Sequence, residues 1–462
     1  MMQLGVIGLG TMGANLARNA ARNGAQVVLF NRTKDKTRAF MKQFGTEGDF
    51  VPAETLRQFL SALGAPRVIL LMVKAGEAVD AVIEESLPSL RKGDILIDAG
   101  NSHYRDTERR EAHLLRQGVH FIGMGVSGGE EGALRGPSMM PGGDPAAVKK
   151  LLPLLRKMSA ADGAGGACVT HVGPGGAGHF VKMIHNGIEY AVMQLIAESY
   201  DLLKSLGGLT NKDLAKTFAA WSRSDDLGSY LTEITARIFT VKDPGTRKDL
   251  IDLIDDAAGQ KGTGRWTTEA AMELGMAIPS INAAVDARLF SGEKEYRTKA
   301  GKNMPTSLLP LRRIAPGIVR SALELSVICA YAEGFELMAK MAAKKQWNLD
   351  LAEIARIWRG GCIIRSRFLV TLQKALTGSS AAKKAILMRL SGVRQRQWRQ
   401  AIAAGIARGV PMPALSASLW FYDSLRRDRL PQNLIQAQRD FFGAHTYRRT
   451  DRAGDFHTVW NR

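Results

Sequence analysis

The chain has 462 residues, 45% hydrophobic and 23% charged, which excludes a disordered, collagen-like or disulfide-scaffold protein. The length predicts two or more domains; no apolar run reaches the ~18 residues of a transmembrane helix, and Met1 to Gly10 lacks the cationic start of a signal peptide. Lysine and arginine number 63 against 44 acidic residues, a net charge of +19 that attracts nucleic acid, acidic membranes and phosphorylated metabolites alike.

Short β-branched runs alternate with helical stretches at the start. Gln3–Ile7, Gln26–Phe30, Arg67–Val73, Asp94–Asp98 and His120–Gly123 are apolar and end in glycine or polar turns, which predicts βαβ units around a mostly parallel sheet. The Gly- and Ala-rich stretch Ala160–Gly178 predicts a last strand and loop, closing an α/β domain over residues 1–178. Long amphipathic segments follow at His179–Leu206, Asn211–Trp221, Tyr230–Phe239, Leu309–Lys345 and Leu351–Trp358, which predicts a large all-α domain over 179–430. Residues 431–462 form a polar, aromatic tail that stays ordered only if it docks somewhere. Cys168, Cys329 and Cys362 are far apart and match no metal-ligand spacing, which predicts reduced thiols in a cytoplasmic enzyme.

Gly8-Leu9-Gly10-Thr11-Met12-Gly13 follows the first strand and opens a helix near Gly13, as a dinucleotide-binding turn does. The glycines permit a tight turn, close approach of a pyrophosphate and close helix–strand packing, while the helix N-terminus offers free N–H groups. The second strand ends in Asn31-Arg32-Thr33, where an NAD-selective site places an acid; hydrogen bonds and a guanidinium there favour NADP. A solvated basic turn is the alternative. Two more strand ends, Val73-Lys74-Ala75 and Gly100-Asn101-Ser102, point to the same sheet edge, and each taken alone reads equally as a turn.

Lys182, His185, Asn186, Glu189 and Tyr190 fall at i, i+3, i+4, i+7 and i+8, one helical face ~12 Å long. A solvated face is the ordinary reading of such a stripe. Against it stand the mixture of a base, an acid and neutral polar groups, and the preceding glycine run Gly173–Gly178, suited to close packing by another element. Gly125-Val-Ser127-Gly128-Gly129 offers a hydroxyl and backbone N–H groups for the opposite wall, or a plain turn.

These segments, with Ala258–Gly264 and Arg439–His445, resemble the 6-phosphogluconate dehydrogenase family in its long, dimeric form, in family order over nearly the whole chain. The resemblance implies NADP-dependent oxidation of 6-phosphogluconate, loss of CO2 and formation of ribulose 5-phosphate in the pentose phosphate pathway, without a metal. It implies that Lys182 is the base and Glu189 the acid, the lysine held neutral by cationic neighbours and desolvation, the glutamate raised above an ordinary carboxylate. It places NADP on Gly8 to Gly13, Asn31, Arg32, Thr33, Val73, Lys74, Ala75 and Asn101. Asn101, Ser127, Gly128, Gly129, His185 and Asn186 would hold the carboxylate and hydroxyls, and Tyr190, Lys261, Thr263 and Arg288 the phosphate. Arg439 and His445 would come from the tail of the partner subunit in a homodimer. Ala99 and Gly10 depart from commoner family residues without removing a functional side chain. The basic residues are scattered, as in Arg394-Gln-Arg396 and Arg426-Arg427-Asp-Arg429, so neither nucleic acid nor membrane is an expected partner.

Overall fold

A computed structural model of the chain describes residues 2–260, 262–305, 308–309 and 313–460. Its first half alternates β1 (Gln3–Ile7), α1 (Thr11–Arg22), β2 (Gln26–Phe30), α2 (Lys34–Phe44), β3 (Phe50–Ala53), α3 (Leu56–Ser61), β4 (Val68–Leu71) and α4 (Glu77–Ser86). β5 (Ile95–Asp98), α5 (Tyr104–Leu115), β6 (His120–Ser127), α6 (Gly129–Arg135), β7 (Ser138–Gly142) and α7 (Pro145–Met158) complete it. The sheet order is β3-β2-β1-β4-β5-β6-β7. β1 pairs in parallel with both β2 and β4, so the winding reverses there and leaves a crevice beyond the strands' carboxyl ends. Central parallel strands bury both faces. Val6 and Leu70 pack with Leu16 and Leu29 on one side, while Ile7 and Leu71 pack with Val28 and Phe59 on the other.

Two strands of this sheet lie outside the predicted set, and both are edge strands containing proline. Pro52 sits in β3 and Pro141 in β7, and only an edge tolerates the missing N–H. β7 runs antiparallel to β6 and is the last strand of the sheet. The strand expected within Ala160–Gly178 is absent: that stretch makes only isolated bridges such as Met139–Val169 and Gly142–Gly173. Gly173 and Gly175 turn the chain with φ of 147° and 57°, which no continuous ladder accommodates. α1 begins at Thr11, two residues before the predicted start, with Gly10 as its N-cap.

The second half is helical: α8 (Ala177–Asp201), α9 (Asn211–Ser222), α10 (Tyr230–Ile238), α11 (Thr263–Glu273), α12 (Pro279–Ser291), α13 (Lys294–Asn303) and α14 (Pro316–Lys345). α15 (Leu351–Ile357), α16 (Phe368–Leu376), α17 (Ser380–Arg389), α18 (Gly392–Ala407), α19 (Pro413–Leu425) and α20 (Gln432–Gly443) follow, then a hairpin of β8 (Tyr447–Arg448) and β9 (Asp455–Phe456). The segment predicted from Leu309 becomes helical only at Pro316; Ala315 is extended (ψ 141°), because a following proline disfavours the α region. The expected helix ending at Leu206 closes with a π-helical turn, Leu202–Leu206.

α8 is the spine of this half. It packs against β6, β7, α11, α12 and α14, and every residue from Ala177 to Ile188 is buried. Phe180, Ile184 and Ile188 fill the core, each worth roughly 1.5–3 kcal/mol of burial. Its N-terminus lies directly on sheet backbone: a Cβ on Gly178 would sit 2.0 Å from the Gly123 carbonyl oxygen. Two buried carboxylates fix neighbouring helices. Glu198 of α8 accepts the N–H groups of Ala414 and Leu415 at 2.8 Å each, at the start of α19. Glu333 of α14 accepts those of Ser280 and Ile281 at 3.0 and 3.2 Å, at the start of α12. Burial pushes both carboxyls up to about 7. All three cysteines are buried. Among the described residues no helix is long and apolar enough to cross a membrane.

Candidate active site

The turn after β1 is shaped by sterics. Gly8 has φ of 99°, and a Cβ on Gly13 would lie 1.9 Å from the Gly8 carbonyl oxygen, so neither position takes a side chain. Gly10 differs: nothing lies within 4 Å of where its Cβ would be, and this open space is where a ligand can approach the backbone. α1 has no side-chain cap and no acid in its first turn, so its leading N–H groups and partial positive charge face that space. Thr11 is exposed and Met12 half-buried beside it.

Asn31 is occupied with the turn itself. Its Oδ1 accepts from the Leu9 N–H at 3.0 Å and its Nδ2 donates to the Thr33 carbonyl at 3.1 Å. Arg32 and Thr33 are exposed at the same edge, and Lys74 is exposed between half-buried Val73 and Ala75. Asn101 is exposed after β5, in a turn held by Asp98, whose carboxylate accepts from the Gly100 N–H at 3.0 Å and the Ser102 hydroxyl at 2.6 Å.

The helical stripe is not solvated. Lys182, His185, Asn186 and Tyr190 are buried and Glu189 is half-buried. Lys182 Nζ donates to Asn186 Oδ1 at 2.7 Å and lies 3.3 Å from His185 Nδ1. His185 Nε2 is 3.0 Å from Ser127 Oγ and 3.1 Å from Cys362 Sγ, while its Nδ1 is 3.7 Å from Glu189 Oε2. The stripe and the Ser127 wall therefore meet through His185.

Removal from water dominates the charges here. Burial pushes the Lys182 amine below its usual range, opposed by Glu189. Of the two causes expected, desolvation is the one that acts and cationic neighbours are not; Glu189 and Cys362 push the amine the other way. Burial pushes Glu189 up, opposed by Lys182 and Arg288. Burial and the neighbouring lysine keep His185 well below its ordinary value, so the imidazole is neutral and bridges by hydrogen bonds. The resulting group holds an amine shifted towards its neutral form and a carboxyl shifted towards its protonated form, on one face of one helix.

Beyond the stripe, the Arg288 guanidinium stacks 3.6 Å from the Tyr190 ring centroid. Thr263, buried, opens α11, and the next residue packs on Tyr190: a Cβ on Gly264 would lie 2.6 Å from that ring. Gly128 and exposed Gly129 follow Ser127 at the mouth of α6. Lys261 lies outside the described residues. Arg439 and His445 are not brought to the stripe within one chain: Arg439 donates to Gln436 at 3.1 Å, and the His445 ring packs edge-on to Phe442.

Cys362 is the neighbour that sequence reasoning missed. It reaches His185 from the loop after α15, where Gly361 abuts Gly128: a Cβ on Gly128 would lie 2.5 Å from the Gly361 carbonyl oxygen. The pair Gly360-Gly361 before the cysteine was the available signal for a close backbone approach.

Comparison with known proteins agrees with this geometry. The NAD binding domain of 6-phosphogluconate dehydrogenase matches residues 3–173, and the 6-phosphogluconate dehydrogenase C-terminal domain matches residues 178–460. The decarboxylating 6-phosphogluconate dehydrogenase of Synechococcus elongatus is 52% identical, covering 100% of this chain and 99% of its own. The NADP(+)-dependent, decarboxylating enzyme of Bacillus subtilis is 48% identical, covering 99% of each. The solved structure of Plasmodium falciparum 6-phosphogluconate dehydrogenase, described in its apo form and in complex with NADP+ and with 6-phosphogluconate, superposes with a TM-score of 0.93 at 40% identity, covering 99% of this chain and 100% of that one. A Rossmann-like domain and a helical domain matched end to end, with relatives near half-identity over the full length, establish that the chain belongs to the 6-phosphogluconate dehydrogenase family of oxidoreductases.

Proposed function

We propose that this chain oxidises 6-phospho-D-gluconate with NADP and decarboxylates the product to D-ribulose 5-phosphate, CO2 and NADPH, in the oxidative branch of the pentose phosphate pathway. The observation that carries the reading is the buried Lys182–Asn186–His185 group with half-buried Glu189 beside it, in which desolvation moves amine and carboxyl towards the forms that a base and an acid need. The relatives' names and the ligands of the Plasmodium structure support the cofactor and substrate.

The residues at the sheet edge fit NADP: open space at Gly10, uncapped amides of α1 for the pyrophosphate, and Arg32 with Thr33 exposed where a 2′-phosphate needs donors. Val73, Lys74, Ala75 and Asn101 line the same edge. When bound, NADP supplies the acceptor for the hydride that leaves C3. Neutral Lys182 takes the C3 hydroxyl proton and, as an ammonium, polarises the C3 carbonyl while the bond to the departing carboxylate breaks. Protonated Glu189 then delivers a proton to C1 of the five-carbon enediol. Ser127, Gly128, Gly129, His185, Asn186 and Asn101 hold the carboxylate and hydroxyls; Tyr190, Lys261, Thr263 and Arg288 hold the phosphate. No step in this scheme calls on a metal.

The chain works as a cytoplasmic homodimer, with domains over 1–178 and 179–430 and a tail over 431–462 whose Arg439 and His445 complete the partner's site. The exposed apolar side chains of α20 (Leu434, Ile435, Phe441 and Phe442) support such a partner. Initial rates with NADP and NAD, and with 6-phosphogluconate against unphosphorylated hydroxy acids such as hydroxyisobutyrate, test the reading. NADPH formation specific to the phosphorylated substrate is expected; equal rates on both acids would overturn it.

A further inference from the structure

α20 has one buried residue, and it is an acid. Asp440 is 0% exposed, whereas Arg439, Phe441 and Phe442 beside it are exposed. Its carboxylate collects donors from far along the tail. Oδ1 accepts from the Thr446 N–H at 3.0 Å and from His457 Nδ1 at 2.9 Å. Oδ2 accepts from the Thr458 N–H at 3.0 Å and from Trp460 Nε1 at 2.8 Å. Burial pushes this carboxyl up, but the bonds from His457, Thr458 and Trp460 outweigh it and hold it down to about 2.

One helical turn earlier, Gln436 grips the same bend from the other side: its Nε2 donates to the Thr446 carbonyl at 2.5 Å, and its Oε1 accepts from Arg439 at 3.1 Å. The chain reverses between Ala444 and Thr446, both in the left-handed region with φ of 50° and 58°. The Ala444 N–H returns to the Asp440 carbonyl at 2.9 Å. His445 is thus flanked by two residues whose backbone is tied to Asp440, and Arg439 immediately precedes it. No apolar side chain of α20 is buried here; four donors converge on one carboxylate instead.

We propose that Asp440 is a positioning residue for the reaction: by clamping the end of the β8–β9 hairpin onto α20, it fixes Arg439 and His445 in the relation in which the tail presents them to the partner subunit's substrate. This rests on the proposed completion of the partner's site by the tail. The test compares Asp440→Asn, Arg439→Ala and His457→Ala as full-length dimers, with dimerisation checked by sedimentation. Steady-state kinetics then vary 6-phosphogluconate and NADP separately. Asp440→Asn, losing a charge-assisted bond to the hairpin, is expected to raise KM for 6-phosphogluconate about tenfold, with kcat and KM for NADP within about twofold. A KM for 6-phosphogluconate that Arg439→Ala raises and Asp440→Asn leaves alone would overturn the positioning role while sparing the shared site. If Arg439→Ala and Asp440→Asn both leave it alone, the shared site fails and the inference with it. Should Asp440→Asn fail to fold or dimerise, His457→Ala decides: it removes one donor and keeps the carboxylate, and an unchanged KM for 6-phosphogluconate overturns the proposal.

Discussion

The sheet edge and the stripe on α8 hold their polar groups in opposite settings. At the edge, exposed side chains and backbone amides surround open space at Gly10, with solvent close by. On the stripe, an amine, an imidazole and an amide touch one another out of water, with a half-buried carboxyl beside them. Exposed groups act separately and weakly, because water screens each of them. Buried groups act as a unit, because removing one leaves its partners unsatisfied in a low-dielectric site. Substitutions at the edge should therefore tune preference, and substitutions on the stripe should stop chemistry.

The largest effect expected is that of Lys182→Ala, which should lower kcat by on the order of 10³ while the NADP dissociation constant stays within about twofold. NADPH formation within about threefold of the parent would break the comparison at its strongest point. Next, Glu189→Gln should cost about a hundredfold in kcat and change the pH profile. In the proposed scheme the amine starts neutral, which assigns the acid limb to Lys182, and the carboxyl starts protonated, which assigns the alkaline limb to Glu189. Burial lowers the first group and raises the second, which brings both limbs towards neutrality. The variant should lose its alkaline limb and keep its acid one, and a full bell in kcat would reassign the acid.

At the edge, Arg32→Glu should lower kcat/KM for NADP about tenfold relative to NAD, the loss of one charge-assisted contact. An unchanged ratio would place the 2′-phosphate elsewhere. Asn31→Ala should have the smallest effect, about 1 kcal/mol or a few-fold in KM. Since its amide holds the turn between Leu9 and Thr33, both cofactors should suffer equally. A loss confined to NADP would show that Asn31 reads the phosphate directly.

Much of this arrangement was legible in local pattern. The dinucleotide turn announces itself through spacing, because backbone sterics leave glycine alone at Gly8 and Gly13. The stripe was visible through helical periodicity, but not its burial, since no local pattern says what will cover Lys182. The missing strands β3 and β7 carry prolines that argue against a strand until their edge positions are known. Short polar helices such as α13, which buries none of its residues, offer no periodic signal. Of the two causes expected for the Lys182 shift, desolvation operates and cationic neighbours do not: composition supplies basic residues but does not place them beside the amine. Cys362 and Asp440 act across long stretches of chain, and only folding brings them to His185 and the hairpin.

The thiols carry a practical corollary. Burial pushes Cys168 up to about 11 and Cys362 up to about 12, and raises Cys329 as well. None presents an accessible thiolate near neutral pH, so the native enzyme should be inert towards alkylating reagents despite a sulfur 3.1 Å from the His185 imidazole. Any labelling must then wait for the surrounding helices to part, which makes the rate of modification a clock for the breathing of the helical domain and its slowing by substrate a gauge of how firmly the occupied pocket is held shut.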